Sequence, residues 1–384
     1  MYLVQAIATD ISGCNIHKDT KFIAPGAFAS CEGLTEIVIP DNVVIIGEKA
    51  FQDCSGLVEL TIGDSVETLE AYAFNGCKAL DKVVFGKSLS YVGEHALHTI
   101  KHSILTTVWY PGEVYISDIA MWSSIVFANV DDNPLRWGAR FFLNGELLTE
   151  VEIPSGVTEI GNGFYAYDAL TRVVIPGSVT KIGNEAFSGC DGLVNVVISE
   201  GVISIGDYAF YSCDNLAEIT IPNSLESTGE SAFEGCKKMT KVHIESIEAW
   251  CTTNFSDYYG NPLYAETELL LNGQLVTELV LPVGMTEIGS HIFDGYGKLT
   301  KVVFPEGITS IGAGAFLGCT GLAEITIPTS VTAIGDSAFS GCTNLQTITF
   351  EGTLEQWYAV SLGTSWTASV PTKKIICSDG EANL

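Results

Sequence analysis

The chain has little positive charge, no long apolar run and no short motif of the kind that marks a catalytic centre. Its 384 residues hold 18 Lys and Arg against 46 Asp and Glu, a formal net charge of −28. A nucleic-acid partner requires a basic stripe that displaces phosphate counterions, and no such stripe is present. The same negative charge disfavours an anionic membrane surface and favours a soluble monomer. No stretch approaches the roughly 18 apolar residues of a membrane-crossing helix, so no membrane insertion is expected. The opening Met1-Tyr2-Leu3-Val4-Gln5-Ala6-Ile7-Ala8 lacks a basic start and is short for a signal peptide. No signal peptide is visible, which leaves a cytoplasmic protein or a piece of an exported one.

Catalytic signatures are missing too. There is no H-E-x-x-H, no nucleophile elbow and no phosphate loop. Gly312-Ala313-Gly314 opens like a dinucleotide fingerprint but belongs to a repeat. The 11 cysteines form no C-x-x-C pair, so a zinc knuckle is excluded. Asp131-Asp132-Asn133 lacks the later glutamate of a calcium loop and reads as a turn. We expect no enzyme, no catalytic residue, no cofactor and no metal.

What the chain does have is repetition. In steps of 23, Leu34-Thr35-Glu36-Ile37-Val38-Ile39-Pro40 recurs from Leu57, Leu80, Leu170, Leu193, Leu216, Met239, Leu299, Leu322 and Leu345, with weaker starts at Leu105, Leu148 and Val276. Each reads apolar-x-x-apolar-x-apolar, with the period-two ending of a strand. A second constant piece follows: Val43-x-x-Ile46-Gly47-x-x-Ala50-Phe51-x-x-Cys54. One unit cannot bury its own apolar face, whereas stacked units share a continuous core. The Ile-Gly glycine is expected to take a backbone shape that other residues resist, although Glu70 replaces it once.

These residues resemble the BspA-like leucine-rich repeats, over roughly residues 20 to 380. The resemblance implies surface proteins of host-associated anaerobic bacteria and some protozoan parasites, and adhesion to host or neighbouring-cell components. The fold expected is a curved leucine-rich-repeat solenoid of about thirteen coils, with a parallel β-sheet on one face.

The array breaks twice, and the breaks match. Trp122, Asn133-Pro134-Leu135 and Asn144-Gly145 in the first answer to Trp250, Asn261-Pro262-Leu263 and Asn272-Gly273 in the second. Asn-Gly between apolar stretches predicts a two-residue hairpin. The tail is a third copy, in which Thr353 and Gln356 fit a capping box ahead of Trp357. The chain therefore reads as one domain, 1–384: a partial repeat (1–33), blocks at 34–110, 148–245 and 276–350, Trp-bearing hairpin insertions at 111–147 and 246–275, and a cap (351–384).

Most candidate chemistry has a plain structural reading. The recurring Phe is a core spine, and the recurring Cys is a buried thiol acting as a small hydrophobe. His98 and His102 are spaced to share a helical face with Glu94 one turn earlier, which could hold zinc. They also sit where a degenerate repeat would have a solvated edge, and that reading is preferred. The strand face is more informative. Two places after each start runs a charged row that includes Glu218, Lys241, Glu278, Lys301 and Glu324. Four places after each start runs a row that is unusually apolar for a solvated surface, with Val38, Val84, Trp109, Thr220, His243 and Val280. The expected ligand site is Glu218, Thr220, Lys241 and His243, against the competing surface around Trp122, Trp250 and Trp357. The function expected is a non-catalytic module that binds an extracellular protein or glycan at the cell surface or after secretion. The alternatives are a structural spacer and an intracellular interaction scaffold.

Overall fold

A computed structural model describes residues 14–101, 107–109, 112–263 and 267–384. Every regular coil is built alike. A short strand such as Glu59–Thr61 buries its middle residue, Leu60. A turn at Gly63 follows, then a two-residue strand, Thr68–Leu69. Turns then carry Ala73, Phe74 and Cys77 inward. The next coil pairs in parallel and in register, Leu60 beside Val83 and Leu69 beside Val92. A constant repeat length therefore stacks like on like, and the strand N–H groups meet carbonyls of the neighbouring coil. The chain is a parallel β-solenoid.

Two compact units divide it, one of residues 1–173 with 185–193, the other of 174–184 with 194–384. In the first, a wide ladder runs Glu36–Val38, Glu59–Thr61, Lys82–Val84, Glu113–Ile116 and Arg140–Leu143, and the antiparallel strand Glu146–Leu147 closes it. In the second, Asn195–Ile198, Glu218–Thr220, Lys241–Ile244 and Glu268–Leu271 form a ladder closed by Gln274–Leu275. A further ladder runs from Glu278–Val280 through Lys301–Val303, Glu324–Ile327 and Thr347–Phe350 to Lys374–Cys377, closed by Gly380–Asn383. A narrower ladder of two-residue strands runs along the other side of the coils in each unit.

The Trp-bearing segments are not insertions that interrupt the array. Glu113–Ile116 and Arg140–Leu143 are rungs of the wide ladder, and Val126–Phe127 is a rung of the narrow one. The modules are themselves coils, in which short helices, α1 (Ile119–Ser124), α2 (Ile247–Thr252) and α3 (Leu354–Trp357), replace part of the usual turn. Thr107–Trp109 is not a rung of the wide ladder. This strand pairs antiparallel with Thr99–Lys101, so the hairpin is the true insertion in the first block. The start placed at Leu105 lies outside the described residues, as does the side chain of Trp109.

The hairpin reading holds. Asn144 and Gly145 have φ of 52° and 86°, and Asn272 and Gly273 have 50° and 79°. Two positive values in succession are the turn that suits the strand twist, and Asn-Gly adopts it at least cost. The capping box at Thr353 and Gln356 is also formed.

The Ile-Gly glycine needs its small size, not a special backbone shape. A Cβ on Gly47 would stand 2.7 Å from the Ile23 carbonyl oxygen, and one on Gly335 would stand 2.4 Å from the Ala313 nitrogen. Positive φ falls two residues later instead, at Lys49, Tyr72 and His95.

The spine is a column of parallel rings. Phe28, Phe51 and Phe74 stack at 4.8 and 4.9 Å within 5° of parallel, and Phe316 stacks on Phe339 at 5.2 Å. The cysteines do more than fill space. The thiols of Cys54, Cys77, Cys190, Cys236, Cys319 and Cys342 donate to the spine-Phe carbonyl of the preceding coil at 3.0–3.3 Å. Each is a second donor to a carbonyl that also accepts the backbone N–H three residues on, at 3.0–3.3 Å. In the first coil after each of the two internal modules, Tyr167 and Tyr296 stand in place of Cys. Their hydroxyls donate to the carbonyls of Leu148 and Val276 at 2.5 and 2.6 Å.

Candidate functional site

The strand face carries the two rows foreseen, with different occupants where the modules contribute rungs. Lys82 is followed by Glu113 and Arg140, and Val84 by Tyr115 and Phe142. In the second unit Lys241 is followed by Glu268, not Glu278, and His243 by Leu270.

The four residues expected to bind ligand do come together. Glu218 pairs in register with Lys241, and Thr220 with His243. Lys241 Nζ donates to Glu218 Oε1 at 2.8 Å, and His243 Nε2 lies 3.6 Å from Glu218 Oε2. The Lys241 bond comes first in holding the Glu218 carboxyl below its usual range, with the charges of Lys241 and His243 adding to it. The same bond raises the Lys241 ammonium. All four side chains are partly exposed, open to a partner.

Sequence reasoning missed a second cluster on this face. The rings of Tyr115 and Phe142 stack at 4.7 Å and 11°. Lys82 Nζ lies 5.6 Å over the first ring and the Arg140 guanidinium 5.5 Å over the second. Arg140 pairs with Glu113, whose Oε2 accepts from the Tyr115 hydroxyl at 2.7 Å. Ring stacking and the two cation contacts make this a rigid cluster. The signal was available: Val114 precedes Trp122 by eight positions, just as Val242 precedes Trp250.

Along the apolar row exposure is considerable, 54% at Val38 and 66% at Val280. The competing surface offers much less. Trp122, Trp250 and Trp357 are at most 3% exposed. Trp122 Nε1 donates to the Gly163 carbonyl at 2.9 Å, and Trp250 Nε1 to that of Ile292 at 3.2 Å. Asn133 Nδ2 donates to the same Gly163 oxygen at 2.9 Å, and Asn261 Nδ2 to that of Ile292 at 3.0 Å. These rings and amides splice a module to the coil that follows it, and no ligand can reach the rings.

Among the described residues one group of three metal-ligating side chains comes together, His95, His98 and Asp132, in the turns of the first unit. His102 lies outside the described residues. The helical face proposed for these histidines is not formed, because residues 94–97 make a turn and Thr99–Lys101 is a strand.

The profile of the BspA type leucine-rich repeat region matches six copies, over residues 8–127, 135–259 and 270–365. No curated protein gives a match. Among solved structures, a leucine-rich repeat protein from Bacteroides ovatus is 24% identical, with 96% of this chain and 84% of that one covered and a TM-score of 0.46. A leucine-rich cell surface protein from Faecalibacterium prausnitzii is 23% identical, with 94% and 90% covered and a TM-score of 0.30. The leucine-rich repeat protein of T. pallidum is 28% identical, with 50% and 72% covered and a TM-score of 0.28. With six repeat copies matched across most of its length, the chain belongs to the BspA-type leucine-rich-repeat family.

Proposed function

We propose that the chain is a non-catalytic binding module whose strand face docks an extracellular protein or glycan, at the cell surface or after secretion. The observation that carries this is the apolar row itself. In the first unit Val38 and the Tyr115–Phe142 pair lie exposed or half-exposed on one hydrogen-bonded ladder, and in the second Val280 does so on another, each beside a row of charges. A solenoid gains nothing in core stability from an apolar outer row, and a contiguous exposed apolar surface rimmed by charge is a docking surface. The sheet is rigid, so little ordering entropy opposes docking, and many small contacts add along the coils. Glu218, Thr220, Lys241 and His243 form one contact patch, and Tyr115 with Phe142 forms another that sets an aromatic anchor. Surface placement follows the family's character as its resemblance implies.

The test is a binding screen of the chain against extracellular-matrix proteins and a glycan array, repeated with Tyr115→Ala/Phe142→Ala and Thr220→Arg/His243→Arg. Loss of the ligands found, in folded variants, supports the reading. Unchanged binding in both variants rejects it.

A further inference from the structure

We propose that His95, His98 and Asp132 form a binding site for a single divalent transition-metal ion, with zinc the ion their chemistry fits best. Two imidazoles and one carboxylate are a borderline-soft donor set that zinc accepts, and it suits magnesium or calcium poorly.

The geometry supports it. His95 Nδ1 and His98 Nδ1 are 3.1 Å apart, and they lie 3.9 and 4.0 Å from Asp132 Oδ1. The point in their plane equidistant from the three atoms is about 2.1 Å from each, close to the usual zinc–nitrogen and zinc–oxygen distance. Both histidines are partly exposed, 28% and 19%, so water can reach a fourth position.

The carboxylate is held for the purpose. Asp132 is fully buried, and its Oδ2 accepts the backbone N–H of His95 at 2.6 Å. Its Oδ1 faces the two rings and accepts no hydrogen bond from the described residues. A buried carboxylate oxygen without a donor is costly, and a cation relieves that cost. Behind His95, Glu94 Oε1 lies 3.5 Å from Nε2, where a carboxylate partner of a ligating histidine belongs.

The second module provides an internal comparison. There the equivalent N–H, that of Ser231, is met by Asp257 Oδ2 at 3.3 Å, while Asp257 Oδ1 accepts from Gly260 N–H at 2.5 Å. Both oxygens of that carboxylate are satisfied within the fold. Ser231 and Glu234 stand where His95 and His98 stand, and Gly260 stands where Asp132 stands, directly before Asn-Pro-Leu. The framework therefore needs one carboxylate contact at this place. It does not need two histidines or a second, unpartnered carboxylate oxygen, and the first module has both. An ion here would clamp the turn at residues 94–98 to the short helical turn Val130–Asp132, 37 positions on from His95.

The test uses the whole chain, stripped of metal with a chelator and titrated with Co2+ and then Zn2+ in excess Mg2+. One equivalent of Co2+ should give visible d–d absorption, Zn2+ should abolish it, and Zn2+ should raise Tm, as binding to the folded state alone requires. His95→Asn and His98→Gln should each lose the band and the Tm rise while keeping the metal-free Tm. His95 has φ of 55°, which Asn tolerates, so folding is not at stake. His291→Gln, at the 2.9 Å His291–Asp294 pair, should change nothing. Absence of the band in the wild-type chain overturns the proposal, and so does a band that survives in both His95→Asn and His98→Gln.

Discussion

Trp122 and Asn133, eleven positions apart in sequence, donate to one oxygen, the carbonyl of Gly163, at 2.9 Å each. Trp250 and Asn261 do the same at Ile292, at 3.2 and 3.0 Å. The wide ladder stops at the Asn-Gly hairpin, and the next coil does not pair with the antiparallel strand that folds back there. Continuity passes to the core, where the indole and the amide hold the turn of the following coil. The Trp-Asn-Pro spacing is fixed by this joint.

Asn133→Ala is expected to lower stability by roughly 1–3 kcal/mol, because it strips a donor from the Asn162 and Gly163 carbonyls and leaves the Leu135 N–H without the side-chain acceptor. Asn42→Ala, whose amide bonds Lys18 at the surface, should cost less than about 1 kcal/mol. Urea unfolding of the two variants distinguishes them, and equal small losses would remove the joint from the account.

Phe210→Ala should cost about 3–5 kcal/mol, since the ring is fully buried and stacks on Phe233 at 5.4 Å. Glu218→Ala removes an exposed ion pair worth about 0–1 kcal/mol. Thermal unfolding should rank them in that order.

Ten of the eleven cysteines are buried, Cys14 is partly exposed, and all are free thiols. Burial pushes the Cys236 and Cys342 thiols up to about 12. Thiolate is the reactive form, so a disulfide-exchange reagent at neutral pH should find few groups in the native chain and all eleven after denaturation. Groups that stay unreactive in denaturant until a reductant is added would reveal disulfides and contradict the structure.

The Glu218 carboxyl is held below its usual range chiefly by the Lys241 hydrogen bond. A carboxylate depressed on folding contributes stability above the ordinary carboxylate range and loses it as pH falls through the depressed value. The contribution is small here because the pair is exposed. In Lys241→Met the Glu218 midpoint should rise, read by NMR of a carboxyl-labelled chain, and an unmoved midpoint would show that the pair does not form in solution.

Much of this was legible in the sequence. A repeat of 23 fixes the register, and the alternation Glu36-Ile37-Val38 fixes which side chain goes in. Asn144-Gly145 and Thr353 with Gln356 carry local turn and cap chemistry that no tertiary contact overrides. The module strands were not legible by the same rule. Glu113-Val114-Tyr115-Ile116 lacks the leading leucine, and Thr107-Val108-Trp109 mimics a rung while lying in a hairpin. By sequence alone Trp109 therefore mimics the aromatic of the row that Tyr115 and Phe142 occupy. The role of Cys as a donor was hidden because its acceptor lies 26 positions earlier, in another coil. Asp132 read as part of a turn because its meeting with His95 and His98 exists only after the module has coiled back. At the expected ligand site, the sequence supplied the four residues and their spacing, and pairing brought them into contact.

The central claim is that binding happens on the strand face, and one comparison tests it most directly. Against whichever protein or glycan the screen identifies, Kd is measured for the wild-type chain, for Thr220→Arg/His243→Arg and for Tyr115→Ala/Phe142→Ala. The control is Lys181→Ala, on the narrow ladder of the second unit. At least one of the two strand-face variants, folded by circular dichroism, should bind roughly tenfold or more weakly, a loss of about 1.4 kcal/mol or more, while the control is unchanged. Undiminished affinity in both strand-face variants would contradict the account.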